Sequence, residues 1–341
     1  MKQVNGVTFI VMMTIIISFP NAVQSVYAAP GTGTLYGVAS GPGVSSLVTI
    51  NPLTGAVTSV PLAILDDNGT PGNQGDDFII ASGIPALALD PTSGILYLGT
   101  GTGVPAIYIL NPLTGEASFQ CNLASANPSI LAIEALAFDS FGNLFASVNT
   151  LGGGNGGTDF VEIDTLCNIS NGPIPFGFGG MGGMAFNAAD NLYGSTTGPN
   201  GQLYTINTGT GSPTAVGPFD QSGGIPITLT GGVASLQFDC TGTLLGGTGR
   251  GGLTGLGVSD LVTINTVSGA ANVIGAGTII GSTLGALAYD QSCSIGVGGE
   301  LLPVNTAALL VAGIQTSFSW IIALAASIAG IGTFVIRKKL I

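Results

Sequence analysis

A four-residue phrase recurs along this chain at a nearly fixed interval. Leu87-Ala88-Leu89-Asp90, Leu136-Ala137-Phe138-Asp139, Met184-Ala185-Phe186-Asn187, Leu236-Gln237-Phe238-Asp239 and Leu287-Ala288-Tyr289-Asp290 succeed one another after 49, 48, 52 and 51 residues. Self-similarity at a period near 50 means that one supersecondary unit is repeated and buried against its neighbours, which removes most folds from consideration. Each of the first four phrases leads through a short Gly- or Asn-containing turn to a second apolar segment: Leu96-Tyr97, Leu144-Phe145, Leu192-Tyr193 and Leu244-Leu245. A third segment follows, ending at Asn111, Asp164, Asn207 and Asn265, and a turn of the form Asn-Pro-Leu-Thr-Gly, intact at Asn111–Gly115, opens a fourth. Short β-branched and aromatic runs with turn chemistry between them are strands. Four antiparallel strands per unit is the pattern of a β-propeller blade.

The ends of the array fix its closure. The first repeat begins at Leu35-Tyr36-Gly37 with no such phrase before it, and the last consists of that missing strand alone, Leu287 to Asp290. The two ends therefore complete one blade between them, giving an all-β, five-bladed β-propeller with a split closing blade. A solenoid would carry capping repeats instead. Gly, 57 of the 341 residues, fills the turns and loops, and Ala88, Ala137, Ala185 and Ala288 share one phase of the inner strand, where space is short.

Charge is distributed as an address. Between Ala29 and Ile336 lie all seventeen acids and a single base, Arg250. Lys2 precedes an uncharged run from Val7 to Phe19, and Val26-Tyr27-Ala28 offers small residues for cleavage, the layout of a secretory signal peptide over 1–28. The propeller ectodomain is expected over 29–290, a short stalk over 291–306, and a hydrophobic region over 307–336 holding a transmembrane helix at about 314–336. Trp320 belongs near the outer interface, and Arg337, Lys338 and Lys339 open a cytoplasmic basic tail, 337–341. This predicts a single-pass cell-surface protein with its N-terminal domain outside.

Two resemblances follow from these residues. The tail from Leu302-Pro303-Val304 through Trp320 to Lys339 resembles the C-terminal anchors of archaeal surface proteins, which implies a place in the cell envelope. The Leu-Tyr-Thr-Ile-Asn and Thr-Gly phrases, as in Leu203–Asn207 and Asn111–Gly115, resemble secreted β-propeller repeat proteins of bacteria and archaea. That likeness implies the fold and transfers no site.

Function classes narrow by what the side chains permit. With no His in the chain, Ser-His-Asp and Cys-His catalysis are excluded, and an ectodomain this acidic repels phosphate backbones, so no nucleic acid is a partner. Asp66, Asp67, Asn68, Asp76 and Asp77 crowd hard oxygen ligands into one connection, as calcium prefers, without the spacing of an EF-hand. The recurrent Asp90, Asp139, Asp239 and Asp290 read as Asx-turn acceptors. At the loop-side ends of the inner strands Glu134 is the one acid, its counterparts being Pro85, Gly182, Ala234 and Gly285. Cys240 and Cys293 fall in corresponding turns and make the favoured disulfide; Cys121 and Cys167, expected toward opposite faces, make the weaker one. The tight turns one-to-two and three-to-four share one face. The long, dissimilar connections share the other, where an extracellular protein or glycan would bind. The function expected is a membrane-anchored binding or adhesion module rather than an enzyme, the alternative being an anchored polysaccharide hydrolase.

Overall fold

The computed structural model describes residues 33–290 apart from 41–43, 81–82, 102, 152–156, 165, 199, 220–231, 250–258 and 280–282. The expected signal segment, stalk, hydrophobic region and basic tail, with Cys293, Trp320, Arg337, Lys338 and Lys339, lie outside the described residues. Among the described residues no helix is long and apolar enough to cross a membrane.

The strands follow the repeat. The chain opens with β1 (Leu35–Ser40), β2 (Ser45–Ile50) and the short β3 (Leu62–Ala63), then β4 (Leu65–Asp66) and β5 (Phe78–Ile79). Blade two is β6 (Ala86–Leu89), β7 (Leu96–Gly99), β8 (Ala106–Leu110) and β9 (Glu116–Asn122), followed by a one-turn helix, α1 (Leu123–Ala126), capped by the Asn122 side chain. Blade three is β10 (Ile130–Phe138), β11 (Leu144–Thr150), β12 (Thr158–Ile163) and β13 (Ile169–Pro175). Blade four is β14 (Met181–Phe186), β15 (Leu192–Thr196), β16 (Gln202–Ile206) and β17 (Pro213–Pro218). Blade five is β18 (Val233–Phe238), β19 (Leu244–Thr248), β20 (Ser259–Ile264) and β21 (Ala271–Ile279), and β22 (Thr283–Tyr289) ends the array.

Closure takes the expected form. β22 pairs antiparallel with β1, Leu35 opposite Tyr289, so blade one is β22-β1-β2-β3, built from both ends. The inner strands β6, β10, β14, β18 and β22 pack in sequence, and β22 returns to β6, which makes a closed ring of five antiparallel blades. Blade two departs from the pattern: β4 pairs parallel to its outer strand β9 and β5 pairs to β4, giving a six-stranded sheet.

The core lies between blades rather than within them, as five buried clusters, one per junction. This explains the repeated alanine. Ala88, Ala137 and Ala185 each sit opposite a second-strand aromatic, Tyr97, Phe145 and Tyr193. Those rings lean on the aromatic that ends the next blade's inner strand: Tyr97 on Phe138 at 5.2 Å, Phe145 on Phe186 at 5.3 Å, Tyr193 on Phe238 at 5.5 Å between centroids. A larger side chain beside the ring would displace it. The alanines therefore serve the junction with the next blade.

The repeated acids cap turns as expected. Asp90, Asp139 and Asp239 each accept from the backbone N–H two residues on, at 2.8, 3.0 and 2.9 Å, and Asn187 does the same at 3.0 Å. In the three-to-four turns the positive-φ residue abuts the previous blade's outer edge. A Cβ on Gly269 (φ 80°) would lie 2.4 Å from the Gly217 carbonyl oxygen, and one on Gly115 (φ 81°) would lie 2.3 Å from that of Ala63. Only glycine fits both the conformation and the gap.

Candidate functional site

At the mouth of the axis, four inner strands carry a bulge at corresponding positions. The register skips Glu134 in β10, Gly182 in β14, Ala234 in β18 and Gly285 in β22, while Pro85 immediately precedes β6. A bulge adds a residue and re-aims its side chain. Gly182 and Ala234 are near neighbours, as are Gly285 and Pro85, so the five positions ring the axis. Glu134 is the single acid of this ring, and burial pushes its carboxyl above the usual range.

The acidic connection lies elsewhere. Sequence reasoning places 61–85 on the variable loop face, but β4 and β5 extend the outer edge of blade two. Paired backbone explains the difference: an exposed strand edge such as β9 is a template for more strand. Asp66 accepts from the Asn68 backbone N–H at 2.9 Å and from the Tyr108 hydroxyl at 3.0 Å. Burial and this bond push the Tyr108 hydroxyl up to about 12. Asp67, 1% exposed, accepts from the Gly69 N–H and the Ser118 hydroxyl. Asp76 accepts from Thr70 Oγ1 at 3.0 Å, and Asn68 stands exposed at φ 52° as the turn residue.

Asp77 differs from the rest. Both its carboxyl oxygens are shut off from water without a donor, and so is Oε1 of Glu116, a residue 8% exposed whose Oε2 accepts from Thr114. Burial raises the Asp77 carboxyl above its ordinary range, and the negative charges of Glu116, Asp76, Asp67 and Asp66, in that order, raise it further. No Lys or Arg occurs among the described residues, so no side-chain cation there neutralises the group. Among those residues, no group of three or more acidic or Cys side chains could hold a metal ion.

Glu116 is the residue that sequence reasoning missed. Its signal was present: it follows the Asn-Pro-Leu-Thr-Gly turn at a position where three other blades carry Ala56, Ser212 and Ala270.

Of the two expected cysteine pairings, the one ranked lower is formed among the described residues. Cys121 and Cys167 form a disulfide, with Cα atoms 6.3 Å apart. Cys240 is a free thiol, 3.7 Å from the Tyr289 hydroxyl, and its expected partner Cys293 lies outside the described residues. A flat strand diagram puts Cys121 and Cys167 toward opposite faces, but blade twist swings the outer strand β9 across the next blade's three-to-four turn. Cys167, at φ 62°, takes the place that glycine holds at the other junctions.

Between blades five and one, on the tight-turn side, lies a cleft of about 640 Å³ whose wall carries the hydroxyls of Thr34, Thr49, Thr58, Thr241, Thr243 and Thr263. Oδ1 of Asp239 at its edge is occupied by the turn it caps.

No family model matches the chain, and no curated protein matches it. Among solved structures the chain is similar to regucalcin, a calcium-binding protein from Agrobacterium tumefaciens, at 14% identity and a TM-score of 0.41, covering 76% of this chain and 79% of that one. It is similar to a luciferin-regenerating enzyme at 11% identity and a TM-score of 0.41, covering 72% and 78%. A protein of unknown function from Bacteroides caccae shares 13% identity at a TM-score of 0.38, covering 73% and 74%. These likenesses assign no role to the residues described above.

Proposed function

We propose that this chain is a binding propeller displayed at the cell surface, exported by residues 1–28 and held by a span at about 314–336. Its partner is an extracellular protein or glycan, taken by the face opposite the tight turns. The observation that carries the reading is the ring at the mouth of the axis, where one carboxylate, Glu134, stands among Pro85, Gly182, Ala234 and Gly285. Such a ring offers a ligand a shaped surface and a single acceptor.

The second reading, an anchored polysaccharide hydrolase, draws on the same residue, because burial holds the Glu134 carboxyl high enough to donate a proton. Glycosidic cleavage also needs a second carboxylate roughly 5–10 Å away. The ring's other described members have no ionisable side chain.

Full-length chain in detergent, probed on a glycan array, separates the two. Saturable binding that Glu134→Gln preserves, without released sugar, supports the binding module. Released sugar that Glu134→Gln abolishes replaces it with the hydrolase. Protease protection of the basic tail in sealed vesicles tests the orientation; a tail cut from outside refutes it.

A further inference from the structure

The most exposed apolar side chains of this propeller are gathered on one face. Among the described residues six large ones are more than three-quarters exposed. Five of these, Leu53, Leu113, Leu166, Val267 and Phe141, stand at tight turns and are 78–86% exposed. Four of the five hold one register position, the third residue of the three-to-four turn in blades one, two, three and five, where blade four has Gly209. Each turn fixes that position in the same way. The backbone N–H of Leu53, Leu113, Leu166 and Val267 donates to the side-chain oxygen of Asn51, Asn111, Asp164 and Asn265, at 2.9, 3.0, 2.8 and 2.8 Å. Phe141 donates likewise to Asp139 at 3.0 Å, in the one-to-two turn of blade three on the same face. Single surface leucines are ordinary, but turns favour small and polar residues, and here an apolar one recurs at one register around a ring.

Two features let these tips leave water at little cost. Their own N–H groups are bonded within the turn, and in blades one and two the preceding residue is Pro52 or Pro112, which has no N–H to satisfy. The three-to-four turns of blades one, two, four and five, residues 51–55, 111–115, 207–211 and 265–269, also carry no charge; Asp164 in blade three is the exception. The path of the chain gives this face its neighbour. β22 ends at Tyr289, and the Asp290 N–H donates to the Thr34 carbonyl at 2.8 Å, so the chain leaves the propeller on the tight-turn side. The face nearest the start of the expected tether is therefore the one that carries the exposed side chains.

We propose that Leu53, Leu113, Leu166, Val267 and Phe141 form a crown that seats the tight-turn face in the interface of the bilayer anchoring the chain. The variable loop face is thereby turned outward to its partner. This rests on the reading of residues 314–336 as a span. A lipid surface suits the crown better than a protein does. Its side chains are borne on separate turns of four blades, so they offer a rigid partner no continuous apolar patch. A bilayer interface is deformable and admits separate apolar groups to a depth of about 5–10 Å. The headgroups that fit are net neutral, because no Lys or Arg among the described residues attracts anionic ones and the acids repel them.

The test uses full-length chain reconstituted into phosphatidylcholine vesicles, with part of the lipid brominated on its acyl chains so that tryptophan lying in the bilayer is quenched. Trp320, the one native tryptophan, reports on the span. In a Trp320→Phe background, Leu113→Trp and Val267→Trp place reporters on the crown, and Val104→Trp places one on the opposite face, between β7 and β8. All three side chains are exposed, so the substitutions spare the core. The expected result is a roughly twofold or greater loss of emission at both crown reporters, at interfacial depth, with Val104→Trp unchanged. If Trp320 is quenched while the crown reporters behave like Val104→Trp, the chain is anchored but not seated, and the proposal is overturned alone. If Trp320 is unquenched, the span reading fails and the proposal with it. Crown reporters whose emission shifts to the blue without bromine quenching show a second copy covering the face, which also overturns it.

Discussion

Ser235 donates its hydroxyl to the carbonyl of Leu284, 3.0 Å away in the next blade, from a position directly across the ladder from Gly247. Blades three and four use the mirrored arrangement. Ser147 stands opposite Ala135 and donates to Met181, and Ser195 stands opposite Gly183 and donates to Val233, both at 3.0 Å. All three acceptors immediately precede a bulged residue, Gly182, Ala234 or Gly285. One hydroxyl per cross-strand pair, beside one small residue, ties each bulge to the blade before it.

Replacing any of these serines by Ala strands a buried carbonyl. Each substitution is expected to cost about 1–2 kcal/mol, read as a lower urea midpoint at unchanged slope. Gly247→Ala should cost at least as much, because its Cβ would lie 2.5 Å from Ser235 Oγ and 2.8 Å from the Leu284 carbonyl oxygen. A neutral result for Ser195→Ala would remove the stapling role.

The Cys121–Cys167 bridge closes a loop with a sequence separation of 46 residues. On the chain-entropy account its loss costs up to about 4 kcal/mol. The double variant Cys121→Ser/Cys167→Ser should melt well below the parent, and reductant should lower the parent's Tm while leaving that variant unmoved.

Enlarging an inner-strand alanine should break the junction ahead of it. Ala185→Leu forces Tyr193 off Phe238, an overpacking cost of about 1–3 kcal/mol. The readout is Tm together with tyrosine near-ultraviolet circular dichroism, and an unchanged spectrum would contradict the assignment.

Asp77 sets a pH dependence of stability. Its carboxyl titrates higher in the folded chain than its ordinary value, so the folded state binds the proton more tightly than the unfolded state does. The resulting penalty is absent below the ordinary carboxylate range near pH ~4 and complete above the raised value. The stability difference between Asp77→Asn and the parent should therefore grow as pH rises from about 4 to 7. A difference independent of pH would show that the carboxyl is not perturbed.

Much of this was legible in order along the chain. The Leu-Ala-x-Asp phrase gave the inner strand, and the absence of such a phrase before Leu35 gave the split blade that Leu35 and Tyr289 complete. The spacing also aligned Glu134 with Pro85, Gly182, Ala234 and Gly285, positions where the ladder is displaced. The acidic connection was legible as composition and illegible as geometry. Its strands are two residues long, too short to carry a period, and β4 pairs with a strand fifty residues away.

By itself, then, the sequence determined the blade count, the strand order within each blade and the closure, because these repeat and each repeat reports the same local physics. Tertiary structure alone decided what meets across strands and junctions: Cys121 within bonding reach of Cys167, and Glu116 beside Asp77. Those encounters depend on how far blade twist carries each outer strand over its neighbour, a rotation that accumulates in three dimensions and leaves no spacing in the chain.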